Sequence, residues 1–214
     1  MVNLTLDGIK DLFPQATIRT YSKNQIICYN GDKPQHIFFV SRGHVRYYDI
    51  DDRGNEKILH INGPKNIFPM LYAFKIVNEV KGFYSAIDKV EVISIPLKDF
   101  HKVIETNIEF SNTLVRWFLG EIEQLAYRIN SFEKTDARDK IMYALKSLAI
   151  NYGHPANEWQ KLDFPITQQF VADFTGLARE TVSSAMHELE KEKILKTGKL
   201  RSLEIKQKEL DKLA

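Results

Sequence analysis

Thr167-Gln168-Gln169-Phe170-Val171-Ala172-Asp173-Phe174-Thr175-Gly176-Leu177-Ala178-Arg179-Glu180-Thr181-Val182-Ser183-Ser184 decides how this chain is read. It has the pattern of a short helix, a glycine turn and a second helix that opens on Arg-Glu-Thr-Val. Gly176 is the residue type that a tight left-handed turn between helices needs. Val171, Leu177, Val182, Met186 and Leu189 are spaced to lock the two helices together. An ordinary pair of core helices would share that apolar spacing, but it would have no use for the polar opening of the second helix. Arginine can fork onto guanine O6 and N7, and glutamate can accept from cytosine N4. The stretch therefore reads as a helix-turn-helix whose second helix meets base edges.

Composition sets the frame around it. The chain has 214 residues, 43% hydrophobic and 27% charged, which suits a soluble protein of one large or two small domains. No apolar run approaches a membrane-spanning length. The opening Met1–Asp7 lacks the basic start and apolar segment of a secretory signal, so the expected location is the cytoplasm, with no membrane partner. The net charge is only +2, so any attraction for nucleic acid must come from where charges sit. The single cysteine, Cys28, rules out an intrachain disulfide and a four-cysteine iron–sulfur cluster. Inside the alternating run Gln25–Tyr29 it reads as a packed thiol.

Residues Met1 to about Thr17 suggest one or two short helices. The period then becomes two: Gln25–Tyr29, His36–Val40, His44–Ile50, Lys57–Ile61, Lys81–Ile87 and Glu91–Ile95 are short runs rich in Val, Ile, Phe and Tyr. Turn residues separate them, as at Asn30-Gly31-Asp32, Ser41-Arg42-Gly43 and Asn62-Gly63-Pro64. Such spacing predicts an antiparallel barrel or roll. From Leu97 the period is helical. Leu114, Phe118, Ile122, Leu125, Ile129 and Phe132 recur at steps of three and four along a predicted helix from about Ile108 to Phe132. This seam is open to a second copy, to its own barrel, or to each on a different face. Glu133–Asp136 is a polar break, with Asp136 placed to cap a helix from Ala137 to about Asn151. Tyr152–Pro155 ends that helix, and Leu162–Ile166 is a strand candidate. Ile194–Lys196 and Leu200–Ile205 flank Thr197-Gly198-Lys199 as a hairpin-like wing, and Gln207–Ala214 reads as a short polar helix. The class is α+β: an antiparallel β-roll over 1–107, a long helix and hinge over 108–134, and a winged helix-turn-helix over 135–214.

In this order the motifs resemble those of the Crp/Fnr family of bacterial transcription regulators over nearly the whole chain. Asn30-Gly31-Asp32, Ile37–Val40, Gly43, Val45, Gly54-Asn55-Glu56 and Gly63 look like the glycine punctuation of a cyclic-nucleotide-binding roll, a double-stranded β-helix. Thr167-Gln168-Gln169 and Gly176–Val182 look like the family's DNA-binding signature. The resemblance implies a homodimer joined through the long helix, a near-palindromic double-stranded DNA site and RNA polymerase as a further partner. It assigns base reading to Arg179, Glu180, Ser183 and Ser184. Phosphate contacts fall to Thr167, Gln168, Gln169 and Thr181, with Lys199 and Arg201 (and Lys196) on the wing.

The departures bear on mechanism. Where cyclic-AMP-binding members carry a Gly-Glu pair this chain has Pro69-Met70, and where they carry Arg-Ser it has Val80-Lys81. Proline has no N–H to offer a phosphate, methionine accepts only weakly, and lysine gives a point charge without a fork. Leu125 and Ala126 replace small hydroxyl residues on the long helix. The expectation is that cyclic AMP is not bound. The candidate effector residues are Phe68, Pro69, Met70, Leu71, Tyr72, Val80, Lys81, Leu125 and Ala126. They fit either a pocket for an apolar or aromatic effector or an interior already filled. Haem would need axial ligands, and His36, His44, His60 and Cys28 show no spacing that singles out a pair. No cofactor is expected. A cupin-like metal enzyme built on His36, His44 and His60 is the alternative from another class. Metal ligands on a barrel strand usually stand two apart on one face, and these do not. In the helix-turn-helix, Ala178 replaces the usual Ser or Thr cap, and Ser184 stands where the family's commonest pattern has a second arginine.

Overall fold

The computed structural model describes residues 6–198 and 202–213. They form two compact units, 1–119 and 120–214, so that the division falls within one long helix.

In the first unit, β3 (His36–Arg42) is the strand around which the layers form. Its run Ile37-Phe38-Phe39-Val40 is buried throughout, as happens when both faces of a strand are covered. Alternation sends Ile37 and Phe39 one way, toward Ile93, Ile95, Phe100 and Phe110, and Phe38 and Val40 the other, toward Cys28, Val45 and Ala86. β3 lies between β8 (Val90–Pro96) and β6 (Ile67–Phe68), with β1 (Thr17–Tyr21) at the edge beyond β8. The facing sheet has the order β2 (Ile26–Cys28), β7 (Phe83–Ala86), β4 (Val45–Ile50), β5 (Glu56–Asn62). All pairs are antiparallel. The chain passes back and forth between the sheets, which is the expected roll. Gly43 holds one crossing tight: its φ is +84°, and a Cβ there would lie 2.5 Å from the Lys89 carbonyl oxygen. Cys28 is packed between the sheets, and burial pushes its thiol up to about 12, so it stays protonated and inert.

Helices α1 (Leu6–Leu12), α2 (Met70–Ala73), α3 (Leu97–Thr106) and the start of α4 (Ile108–Phe132) cover the outer face of the β3 sheet. Phe13 meets Phe110 edge-on at 5.6 Å between centroids, and Phe110 meets Phe100 at 6.1 Å. This packing corrects the reading of the α4 seam. Leu114 is buried in the roll's own core, and Phe118 packs against the same core, so neither offers a free face. The exposed stripe is Ile108, Val115, Leu119, Ile122, Leu125 and Ile129. Two apolar faces lie side by side on one helix, and a steps-of-three-and-four count runs across both. The side chain of Phe132 lies outside the described residues.

In the second unit, Asp136 caps α5 (Ala137–Tyr152) as expected, accepting from the Arg138 and Asp139 N–H groups. Then follow β9 (Gly153–Ala156), β10 (Trp159–Leu162), α6 (Gln168–Thr175), α7 (Arg179–Lys191), β11 (Leu195–Thr197), β12 (Leu203–Lys206) and α8 (Gln207–Asp211). The sheet order is β11-β12-β10-β9. The strand expected over Leu162–Ile166 ends at Leu162 instead. Leu162, Phe164 and Ile166 are buried while Asp163 is exposed, so the segment shows strand-like alternation. Pro165 lacks an N–H for a ladder, and Phe164 stacks edge-on against Tyr152 and Phe170. The strand β1 was not evident in the sequence because four of its five residues are exposed and no face alternates.

Candidate DNA-reading surface

Thr167 starts the site. Its side chain accepts from the Phe170 N–H at 3.0 Å and so caps α6. Phe170, Val171, Ala172 and Phe174 bury the inner face of α6, leaving Gln168 and Gln169 exposed at its first turn. Gln169 donates to Asp173 at 2.7 Å. Gly176 ends the helix with φ +72°, in the left-handed region, and its N–H closes onto the Ala172 carbonyl. The chain then turns into α7, whose Val182, Ala185, Met186 and Leu189 are buried.

The burial of those four residues fixes what the helix shows to solvent. Arg179, Glu180, Thr181 and Ser184 are exposed and Ser183 is half-buried. Among the described residues none of these five side chains has a hydrogen-bond or ion-pair partner, so their donors and acceptors are available to a ligand. Ala178 enters the helix with extended backbone and no side-chain cap. The first N–H groups of α7 are thus left to solvent or to an anion. Ala178→Ser should supply the missing acceptor and raise stability by about 1 kcal/mol. Urea denaturation checks this, and an unchanged midpoint would show that the turn cannot present the hydroxyl.

A cleft of about 350 Å³ brings the two helices and the wing together. It is lined by Thr167, Gln168, Gln169 and Arg179, by Met186 and Glu190 farther along α7, and by Thr197 at the base of the wing. Thr197 donates to Glu190 at 2.6 Å, tying the wing to the recognition helix. The sequence reading missed Glu190 and Thr197; a Thr–Glu pair seven positions apart, on different elements, leaves no periodic signal. Of the expected backbone contacts, Lys199 and Arg201 lie outside the described residues. Lys196 is exposed, with its ammonium 3.6 Å from the centre of the Trp159 ring.

Two contacts brace the unit. Arg138 forks onto Glu192, linking the start of α5 to the end of α7, and the pair holds the Glu192 carboxyl below its usual range. Arg128 of α4 lies 4.3 Å over the Phe174 ring and donates to the Phe174 carbonyl at 3.2 Å. Burial pushes its guanidinium down to about 10, so it still carries its charge at neutral pH.

Within the first unit the expected effector residues divide between two cores. Phe68 and Val80 lie between the two sheets, whereas Met70 belongs to the helix-side core. Pro69 is buried, Tyr72 half-buried, and Leu71 exposed. Lys81 is exposed and paired with Glu79 at 2.7 Å. Leu125 and Ala126 are exposed positions of α4 in the second unit. Between the sheets an aromatic column runs through Phe38, Phe68, Tyr84 and Tyr47. Its centroid distances are 5.3, 4.9 and 4.7 Å. Burial pushes the Tyr84 phenol far above its usual range. The histidines of the alternative enzyme do not converge. His44 pairs with Asp88 at 3.0 Å, and no group of three or more His, Cys, Asp or Glu is arranged to hold a metal among the described residues.

The comparison with known proteins agrees with this geometry. Residues 18–107 match the cyclic nucleotide-binding domain and residues 140–214 match the Crp-like helix-turn-helix domain. The chain belongs to the Crp/Fnr family of transcription regulators. Its relatives include the HTH-type transcriptional regulator ArcR of Staphylococcus haemolyticus, 27% identical over 92% of this chain and 87% of that one. The global nitrogen regulator of Nostoc sp. is 23% identical over 87% of this chain and 84% of that one. Among solved structures, FixK2 from Bradyrhizobium japonicum has the same fold, with a TM-score of 0.75 at 19% identity, covering 92% of this chain and 96% of that one. This Crp/Fnr chain is a DNA-binding regulator and not an enzyme. No helix among its described residues is long and apolar enough to cross a membrane.

Proposed function

We propose that this Crp/Fnr protein acts in the cytoplasm as a homodimer on near-palindromic duplex DNA, does not respond to cyclic AMP, and contacts RNA polymerase when bound. The observation that carries the DNA reading is the row of unpartnered polar side chains, Arg179, Glu180, Ser183 and Ser184, on a helix whose other face is locked in a core. The dimer reading rests on the exposed stripe of α4. Large apolar side chains more than half exposed, as at Val115, Leu119, Ile122 and Ile129, are those that a second copy would cover. Two recognition helices would then enter major grooves about one helical turn apart, roughly 34 Å.

Three observations support independence from cyclic AMP. Pro69 has no N–H, Lys81 is exposed and paired with Glu79, and the Phe38–Phe68–Tyr84–Tyr47 column occupies the space between the sheets. The same column favours a regulator that works without an effector, or with an apolar or aromatic one that displaces a ring. Neither haem nor an iron–sulfur cluster belongs to this reading. Selection from a randomised duplex library, with and without cyclic AMP, tests it. Enrichment of one dyad-symmetric sequence, unchanged by the nucleotide, is expected. Failure to enrich any dyad at low salt would overturn the DNA reading, and a nucleotide-dependent motif would overturn the effector reading.

A further inference from the structure

We infer that His187 is a further base-reading residue of the recognition helix, donating from its ring to the N7 or O6 edge of a purine. The inference rests on the DNA-reading role of α7 and extends it by one turn. His187 is exposed, and no hydrogen bond or ion pair engages it among the described residues. Its position on the helix decides what it faces. Val182, Ala185, Met186 and Leu189 mark the buried side. At about 100° per residue, the line opposite them runs through Glu180, Ser184, His187 and Lys191. Thr181 and Glu188 fall on one flank. Arg179 and Glu190 fall on the other, where they line the cleft shared with α6 and the wing. A helix lying in the major groove presents its central line to base edges, and from its flanks only a long side chain such as that of Arg179 reaches them. His187 therefore occupies the central line with Glu180 and Ser184, in front of bases rather than phosphates.

Chemistry narrows the contact. Ser184 is short, and its hydroxyl reaches little beyond the helix surface. The imidazole one turn on is longer and rigid. When neutral it offers one N–H donor and one acceptor. Purines present N7 as an acceptor in the major groove, and guanine adds O6. The rise from Glu180 to His187 is about 10 Å, so the two side chains meet different base pairs. His187 would thus extend the reading to a base pair that Arg179 and Glu180 do not reach.

Duplex selection with wild type, His187→Ala and His187→Gln tests this. The wild type should enrich a purine at one symmetric pair of positions, and His187→Ala should lose that preference alone. Affinity for the wild-type duplex should fall roughly tenfold, while affinity for duplexes already changed at that position stays the same. His187→Gln should shift the preference toward adenine. Melting temperature should be unchanged, because the side chain is exposed. An unchanged motif with His187→Ala overturns the inference. So does a uniform loss on all sequences with a shallower salt dependence, which marks a phosphate contact. If the wild type enriches no motif, the DNA reading itself has failed and this inference fails with it.

Discussion

Arg179→Ala should relax the target sequence and weaken binding to the selected duplex by about 1–3 kcal/mol per half-site. A symmetric dimer loses that twice. The expectation follows from where the guanidinium sits. Arg179 is the first residue of α7, exposed, and partnered by no side chain among the described residues. It also lines the cleft beside Thr167, Gln168 and Gln169, so on the proposed reading the guanidinium and the first turn of α6 would address the same stretch of duplex. Arg179→Lys separates the two parts of its role. Lysine keeps the charge but loses the bidentate geometry. It should keep most of the salt dependence while losing discrimination at the guanine. Competition binding against the selected duplex and single-base variants, at several salt concentrations, reads both quantities. An Arg179→Ala protein that selects the wild-type motif would move the reading role elsewhere on α7.

Much of this site was legible because its signals are local. A turn that needs φ > 0 takes a glycine, a helix start takes an aspartate, and Gly176 and Asp136 stand where the chain requires them, whereas the capping of α6 by Thr167 emerged only from the structure. The bounds of α4 and the apolar runs of β3 and β8 are also local facts. What escaped the sequence depends on pairing across the fold. β1 is an edge strand with exposed side chains, and only its ladder with β8 defines it. The segment 163–166 continues the alternation of β10 yet makes no ladder. Met70 and Phe68 are neighbours on either side of Pro69, and the roll sends them into different cores. No spacing rule foretells that, because the change from β6 to α2 rotates the chain between the two residues. Leu114 and Ile122 look equivalent in a helical count, and only the packing of Phe110 and Trp117 against the roll separates them. His187 carried no motif; it became visible once four buried residues fixed the orientation of α7.

Phe68→Ala should destabilise the first unit by about 3–5 kcal/mol, the usual cost of removing a buried aromatic ring and leaving a cavity. Phe68 is 1% exposed. It lies in the middle of the aromatic column, 15° from parallel with Tyr84 at 4.9 Å and tilted against Phe38 at 5.3 Å. Both neighbours lose a stacking partner, and backbone pairing of β6 with β3 limits how far the strand can collapse inward. The two tryptophans separate the units conveniently. Trp117 packs against the roll core, while Trp159 is buried in the second unit under Lys196. In Trp159→Phe and Trp117→Phe backgrounds, denaturation followed by fluorescence reports one unit at a time, and the loss should appear in the Trp117 signal alone. The size of the loss also tests the effector reading. A full cost means that Phe68 fills the interior as a core residue. The cavity it leaves should then be dry and apolar, and should recover part of the stability when indole is added in excess. A loss below about 1 kcal/mol would mean that the ring borders open space in solution. The region between the sheets would then be a working pocket for an aromatic effector and not a filled core.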